Sequence, residues 1–167
     1  GVATLAGMTK CSAVLVAMLA LLFSRASFAV DAPLQVSGVY PHLAVFNEHG
    51  ECGIGAVVPW AGKLWTITYP PHFRTGSSDK LYEIDESMKV TIRPESVGGT
   101  HANRMVHKES NQLIIGPYFI DDKGKVRTAD VKKLVGRMTA TARHLSDPAN
   151  KVYFVDMEGP IWEVDVK

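Results

Sequence analysis

Short apolar runs alternate with tight-turn formers from Gly53 onward, and the alternation repeats itself. Three times an apolar stretch leads into a turn and then into a second, aromatic-rich stretch: residues 53–60 into 63–69, 104–107 into 112–118, and 138–144 into 151–155. Leu64, Leu113 and Val152 stand at equivalent points, 49 and 39 residues apart. A drifting period of roughly 40–50 residues with several short strands per unit is the pattern of β-propeller blades. The fold expected is therefore all-β: a β-propeller fragment of about three four-stranded antiparallel blades.

Within that frame the strands order themselves from a central channel outward. The first blade takes residues 53–60, 63–69, 80–85 and 90–93, the second begins at Asn103 and the third near Met138. Turn formers separate them: Ala61-Gly62, Ser110-Asn111, Asp121-Asp122-Lys123-Gly124 and residues 147–150. No window after Val30 keeps a helical period for three turns, and residues 128–133 offer one helical turn at most.

The first 29 residues depart from this pattern. Met8 and Lys10 precede an apolar run over residues 12–23 and a small-residue exit, Ser27-Phe28-Ala29. That is the layout of a secretory signal peptide cut after Ala29, and the run is shorter than the roughly 20 apolar residues a transmembrane helix needs. The domains expected are residues 1–29, leader with upstream translated residues, and residues 30–167, the N-terminal part of a propeller cut short at its C-terminus. Export to the periplasm or beyond follows, with no stable membrane insertion after cleavage.

The whole chain has 167 residues, 46% hydrophobic and 21% charged, with a net charge of +1. Removing residues 1–29 takes Lys10 and Arg25 but no acid, leaving 16 basic against 17 acidic residues. So neutral a chain, without a basic run, argues against nucleic acid and anionic membranes as partners. Cys11 leaves with the leader and Cys52 stands alone, which excludes an internal disulfide framework and any cysteine-rich zinc site.

In a propeller, the loops that lead into inner strands and those joining second to third strands lie on one face, where the binding funnel opens. That register puts Glu51, Thr100, His101, Asn103, Arg104 and Arg137 near the starts of inner strands, with His72, Phe73 and Arg74 on a loop of the same face. His42, in Tyr40-Pro41-His42, precedes the first blade and reaches the same rim. Glu51, His101, Asn103 and Arg137 are the substrate-binding candidates. Two prolines before His72 hold its ring in place without burial.

Arg104 follows the flexible Gly98-Gly99 pair, which lets a substrate approach the backbone, and has the fork that grips planar oxyanions at two points; the alternative is an ion pair with Glu51 or Glu95. His107 and His144 recur at equivalent positions on the opposite face, as structural hydrogen-bonding groups of the inner turns, and His49 reads as a solvated turn residue. There is no phosphate-binding glycine loop, nucleophile elbow or paired-histidine metal motif. No cofactor is certain, although channel-facing carbonyls of a propeller suit a structural calcium ion.

Residues 37–166 resemble exported bacterial proteins of a seven-bladed propeller family that includes α-L-rhamnosidases and L-rhamnose-α-1,4-D-glucuronate lyases (glycoside hydrolase family 145 and polysaccharide lyase family 42). The resemblance is carried by residues 38–44, 51–60, 63–65, 76–84, Arg93-Pro94-Glu95-Ser96-Val97-Gly98-Gly99-Thr100, Asn103-Arg104-Met105-Val106-His107 and 109–112. It implies a carbohydrate substrate: the rhamnose-capped glucuronate of plant polysaccharides, cleaved by elimination or hydrolysis. In the lyases of that family histidine serves as base and acid while arginine neutralises the uronate carboxylate, roles that fall here on His42, His72 and Arg104. Hydrolysis lacks an obvious carboxylate pair, since Glu51, Glu109 and Glu158 fall in different blades. The rival class is a non-catalytic propeller that binds a glycan or a partner protein, with Tyr40, Trp60, Trp65, Tyr69 and Trp162 as stacking surfaces or as core.

Overall fold

The computed structural model describes residues 53–70 and 72–167. The leader, His42, His49, Glu51 and Cys52 lie outside the described residues. Among those described there is no helix, and eleven strands form three antiparallel sheets. Sheet 1 runs β1 (Gly53–Trp60), β2 (Lys63–Tyr69), β3 (Leu81–Ile84) and β4 (Val90–Ile92) in spatial as well as chain order. Sheet 2 repeats this with β5 (Arg104–His107), β6 (Gln112–Ile115), β7 (Tyr118–Asp121) and β8 (Val126–Thr128). Sheet 3 holds β9 (Met138–Arg143), β10 (Lys151–Asp156) and β11 (Ile161–Asp165).

The turns follow local chemistry. Ala61 and Gly62 both have positive φ, 50° and 70°, as a two-residue hairpin turn matched to strand twist requires. Asp85 and Asp121 each accept two later backbone N–H groups on Oδ1, closing the β3–β4 and β7–β8 turns. These bonds hold both carboxyls below the usual carboxylate range, led at Asp85 by the Ser87 hydroxyl and at Asp121 by the Lys125 N–H.

Gly116, at φ +57°, and Pro117 divide the aromatic run 112–118 into β6 and the start of β7. One expectation needs correction. Sheet 3 has three strands among the described residues rather than four. Val166, directly after β11, is fully buried, and its carbonyl accepts from Gln112 Nε2 (3.0 Å) and Arg127 Nη2 (2.9 Å) of sheet 2.

Two cores hold the sheets face to face. Ala56, Trp65, Ile67 and Leu81 of sheet 1 pack on Leu113, Ile115, Tyr118 and Ile120 of sheet 2. The period-2 alternation turns Ile114 and Phe119 to the other side, where they meet Met138, Val152 and Phe154 of sheet 3. Sheet 2 is thus buried on both faces, each large side chain contributing roughly 2–3 kcal/mol. Trp65 is wholly buried and donates to Trp60 O (3.0 Å), while Trp60 donates to Asp121 O (2.8 Å), so these indoles serve the core.

The same ends of the sheets meet. Ala102 N–H, just before β5, donates to Met138 O at the start of β9 (2.8 Å). At Gly55, where β1 bulges, the His101 carbonyl comes so close that a Cβ would sit 2.1 Å from it. β1, β5 and β9 therefore begin at one end of the assembly. The β2–β3 loop, the β6–β7 turn and the β10–β11 turn lie at that end too, by antiparallel alternation.

Candidate functional site

The β2–β3 loop is fastened over this end. Pro70 stops β2, having no N–H for the ladder. Thr100 N–H donates to Phe73 O (2.7 Å), and its hydroxyl lies against the Phe73 and Pro70 carbonyls. Gly76 N–H reaches Val97 O (2.9 Å) and Gly99 N–H reaches Ser77 Oγ (2.8 Å). Gly98 and Gly99 have φ of +69° and +105°, and a Cβ on Gly99 would stand 2.4 Å from Arg74 O. The close approach these glycines allow is thus that of the loop itself, where the sequence suggested a substrate.

That loop delivers His72 and Arg74. His72 has φ +65°, a left-handed value that a non-glycine residue seldom adopts. Its Nδ1 lies 2.9 Å from Nη1 of Arg137, the second residue before Thr139 of β9. Arg137 Nη2 donates to Glu158 Oε1 (2.7 Å), and Arg74 Nη2 donates to Glu158 Oε2 (2.8 Å). The backbone of Arg137 is pinned as well, its N–H to Asp156 Oδ2 (2.5 Å) and its carbonyl to Met157 N–H (3.0 Å). Because a guanidinium only donates, His72 Nδ1 accepts, which puts the proton of the neutral ring on Nε2.

Arg104 is the first residue of β5 and is exposed. It has no acidic partner among the described residues. Glu95, one of its two alternatives, is held by Arg93 instead at 2.8 Å, a contact that keeps the Glu95 carboxyl below its ordinary range. Glu51, the other, lies outside the described residues, as does His42.

His101 and Asn103 are buried beneath this end, 4% and 1% exposed. Asn103 ties the sheets together through Nδ2, which donates to Gly116 O (2.9 Å) and Thr141 Oγ1 (3.0 Å). Neither ring nitrogen of His101 has a partner in hydrogen-bond geometry, although the Gly98 carbonyl lies near enough to favour a ring proton. Burial outweighs this and lowers the pKa from 6.5 to about 4, so the ring is neutral at pH 7. The adjoining cavity, bordered by Asp79, Gly98 and Tyr118, offers about 10 Å³, far below the roughly 300 Å³ of a small ligand pocket. Both residues support the strand starts.

At the opposite end, His107 and His144 make the structural hydrogen bonds expected of them. His107, fully buried, joins Ser110 Oγ (2.7 Å) through Nδ1 and Pro148 O (2.8 Å) through Nε2, linking the β5–β6 and β9–β10 turns. His144 accepts from Asp147 N–H (2.8 Å), meets Glu163 Oε2 (2.9 Å) and stacks on Tyr153. Glu109 pairs with Arg143. Among the described residues no group of three or more histidine, cysteine or acidic side chains is placed to hold a metal ion.

The structure thus brings His72 and Arg137 into contact and places Arg104 at the same end. Arg74 and Glu158 complete the cluster; the sequence put Arg74 on this face but gave no sign of its partner. Two larger depressions lie away from it, about 320 Å³ beside Leu64, Ile84 and Met88, and about 250 Å³ beside Leu134, Trp162 and Val164. Comparison of the chain with family models, with curated proteins and with solved structures finds no match.

Proposed function

We propose that the three sheets are successive blades of a β-propeller and that the end where β1, β5 and β9 begin takes an acidic saccharide. The head-to-tail stacking of sheets 1, 2 and 3 supports the propeller, as does the shared end of their first strands. Ile54, Val57 and Ile92 leave apolar surface exposed on sheet 1, and Ile161 does so on sheet 3, where further blades of a closed ring would pack. Residues 1–29 would be a secretory leader and the protein exported.

Arg104 carries the functional reading: an exposed guanidinium at the start of an inner strand, with no acid to neutralise it among the described residues. A uronate carboxylate is the planar anion such a fork grips. The reaction proposed is elimination on rhamnose-capped glucuronate. Arg104 would stabilise the enolate-like charge as the proton leaves C5, the C4–C5 double bond forms and the C4–O bond breaks. The base that takes the C5 proton and returns it to the departing oxygen would be His42. His72, its Nδ1 occupied by Arg137, would donate a hydrogen bond through Nε2–H.

Binding without catalysis is the second reading, and the same pairing favours it, since the ring nitrogen of His72 that does not face Arg137 then carries the proton. Incubation with a rhamnose-capped glucuronate oligosaccharide separates the two. A rise in ultraviolet absorbance from the unsaturated uronate, lost in His42→Ala and mostly lost in Arg104→Lys, supports elimination. Released rhamnose without that absorbance means hydrolysis, and retained binding with neither product means a binding module.

A further inference from the structure

We propose that Glu158 is an internal competitor for the substrate carboxylate, occupying an anion site made by Arg74 and Arg137 until an acidic saccharide displaces it. The inference deepens the reading that this end binds an acidic saccharide, and rests on it. Three separate chain segments converge here: the β2–β3 loop with His72 and Arg74, the residue Arg137 just before β9, and the β10–β11 turn with Glu158.

The geometry around Glu158 is that of a bound carboxylate. Each oxygen is taken by a different guanidinium, Oε1 by Arg137 at 2.7 Å and Oε2 by Arg74 at 2.8 Å. A ligand carboxylate placed between the same two forks would make the same pair of bonds. The groups are also exchangeable. Glu158 is 43% exposed and Arg74 53%, and ion pairs this open to water hold weakly.

Arg137 behaves differently from its partners. Its side chain is only 13% exposed, its N–H is fixed by Asp156 and its carbonyl by Met157 N–H. It would therefore stay in place when Glu158 swings out, with Nη1 still on His72. The site then presents two cations to one anion, with the Nε2–H edge of His72 as an added donor. Glu158 offsets one of those two charges when no ligand is bound, and so favours anions strong enough to replace it.

Calorimetric titration with a rhamnosyl-glucuronate disaccharide tests this on the wild-type chain, Glu158→Gln, and Glu158→Gln combined with Arg74→Met. Removing the competitor should tighten binding about two- to five-fold, the scale set by the weakness of exposed ion pairs. The added Arg74→Met should abolish the gain. Should Glu158→Gln not fold, Glu158→Asp serves, because its shorter side chain keeps the charge yet cannot span both arginines, and it too should bind more tightly. Equal or weaker binding by the Glu158 variants, with the wild type still binding, overturns this inference alone. No binding by any of them overturns both it and the acidic-saccharide reading.

Discussion

Nδ1 of His72 lies 2.9 Å from Nη1 of Arg137, 65 residues further along the chain. The contact joins the β2–β3 loop of sheet 1 to the residue just before β9 of sheet 3. It also fixes which ring nitrogen of His72 is available, and thereby what the ring can do to a ligand.

The tautomer is directly observable. Long-range proton–nitrogen correlation at pH 7.5 should show His72 with an unprotonated Nδ1 and a protonated Nε2. Arg137→Met should return the ring to a mixture of both forms. A wild-type spectrum with Nδ1 protonated would remove the hydrogen bond from the account.

Gly99 should tolerate no side chain. A Cβ there would meet Arg74 O at 2.4 Å and His101 Nε2 at 2.8 Å, at φ +105°. Gly99→Ala is expected to cost about 2–4 kcal/mol by urea unfolding. Gly62→Ala, at φ +70° with nothing within 4 Å, should cost only about 1–2 kcal/mol. Equal losses would mean that backbone conformation, and not the packed loop, dominates at Gly99.

His101 predicts a pH dependence of stability. Its pKa falls from 6.5 to about 4 on folding, because burial penalises the imidazolium. Between those values the unfolded chain binds the proton and the folded chain does not. Stability should therefore be fully present above pH 6.5 and decline as pH falls toward 4, by at most about 1.4 kcal/mol per pH unit from this group. Urea unfolding at pH 7, 5.5 and 4.5 measures it, and His101→Gln should flatten the decline. The same slope in both proteins would show that other groups are responsible.

Much of the sheet structure was legible in the sequence because turn chemistry marks it. β1 and β2 have the expected bounds, since Ala61-Gly62 can only be a tight hairpin and Pro70 can only end a strand. Gly116-Pro117 is as strong a turn signal, yet the apolar side chains around it hid it: β6 and β7 are buried on both faces and lose the alternation that reveals a strand. The third sheet's strand number was not legible, because only tertiary contacts fix Val166 onto sheet 2. At the candidate site, residue type and predicted face brought out His72, Arg104 and Arg137. Spacing carries no trace of the His72–Arg137 pairing or of Glu158 between two arginines, since side chains decades apart meet only once sheets stack. The Gly98-Gly99 pair shows the opposite failure, a strong local signal whose purpose depends on what packs against it.

The central claim, that an acidic saccharide binds where β1, β5 and β9 begin, is tested most directly by titrating the protein with a rhamnosyl-glucuronate disaccharide and following proton–nitrogen chemical shifts. Saturable shifts should concentrate at the Arg104 and Arg137 side chains, the His72 ring and the backbone of residues 72–77, and Arg104→Lys should weaken them. Shifts confined to the opposite end, at Lys108, Glu109 and residues 144–150, or no shifts at all, would contradict the account.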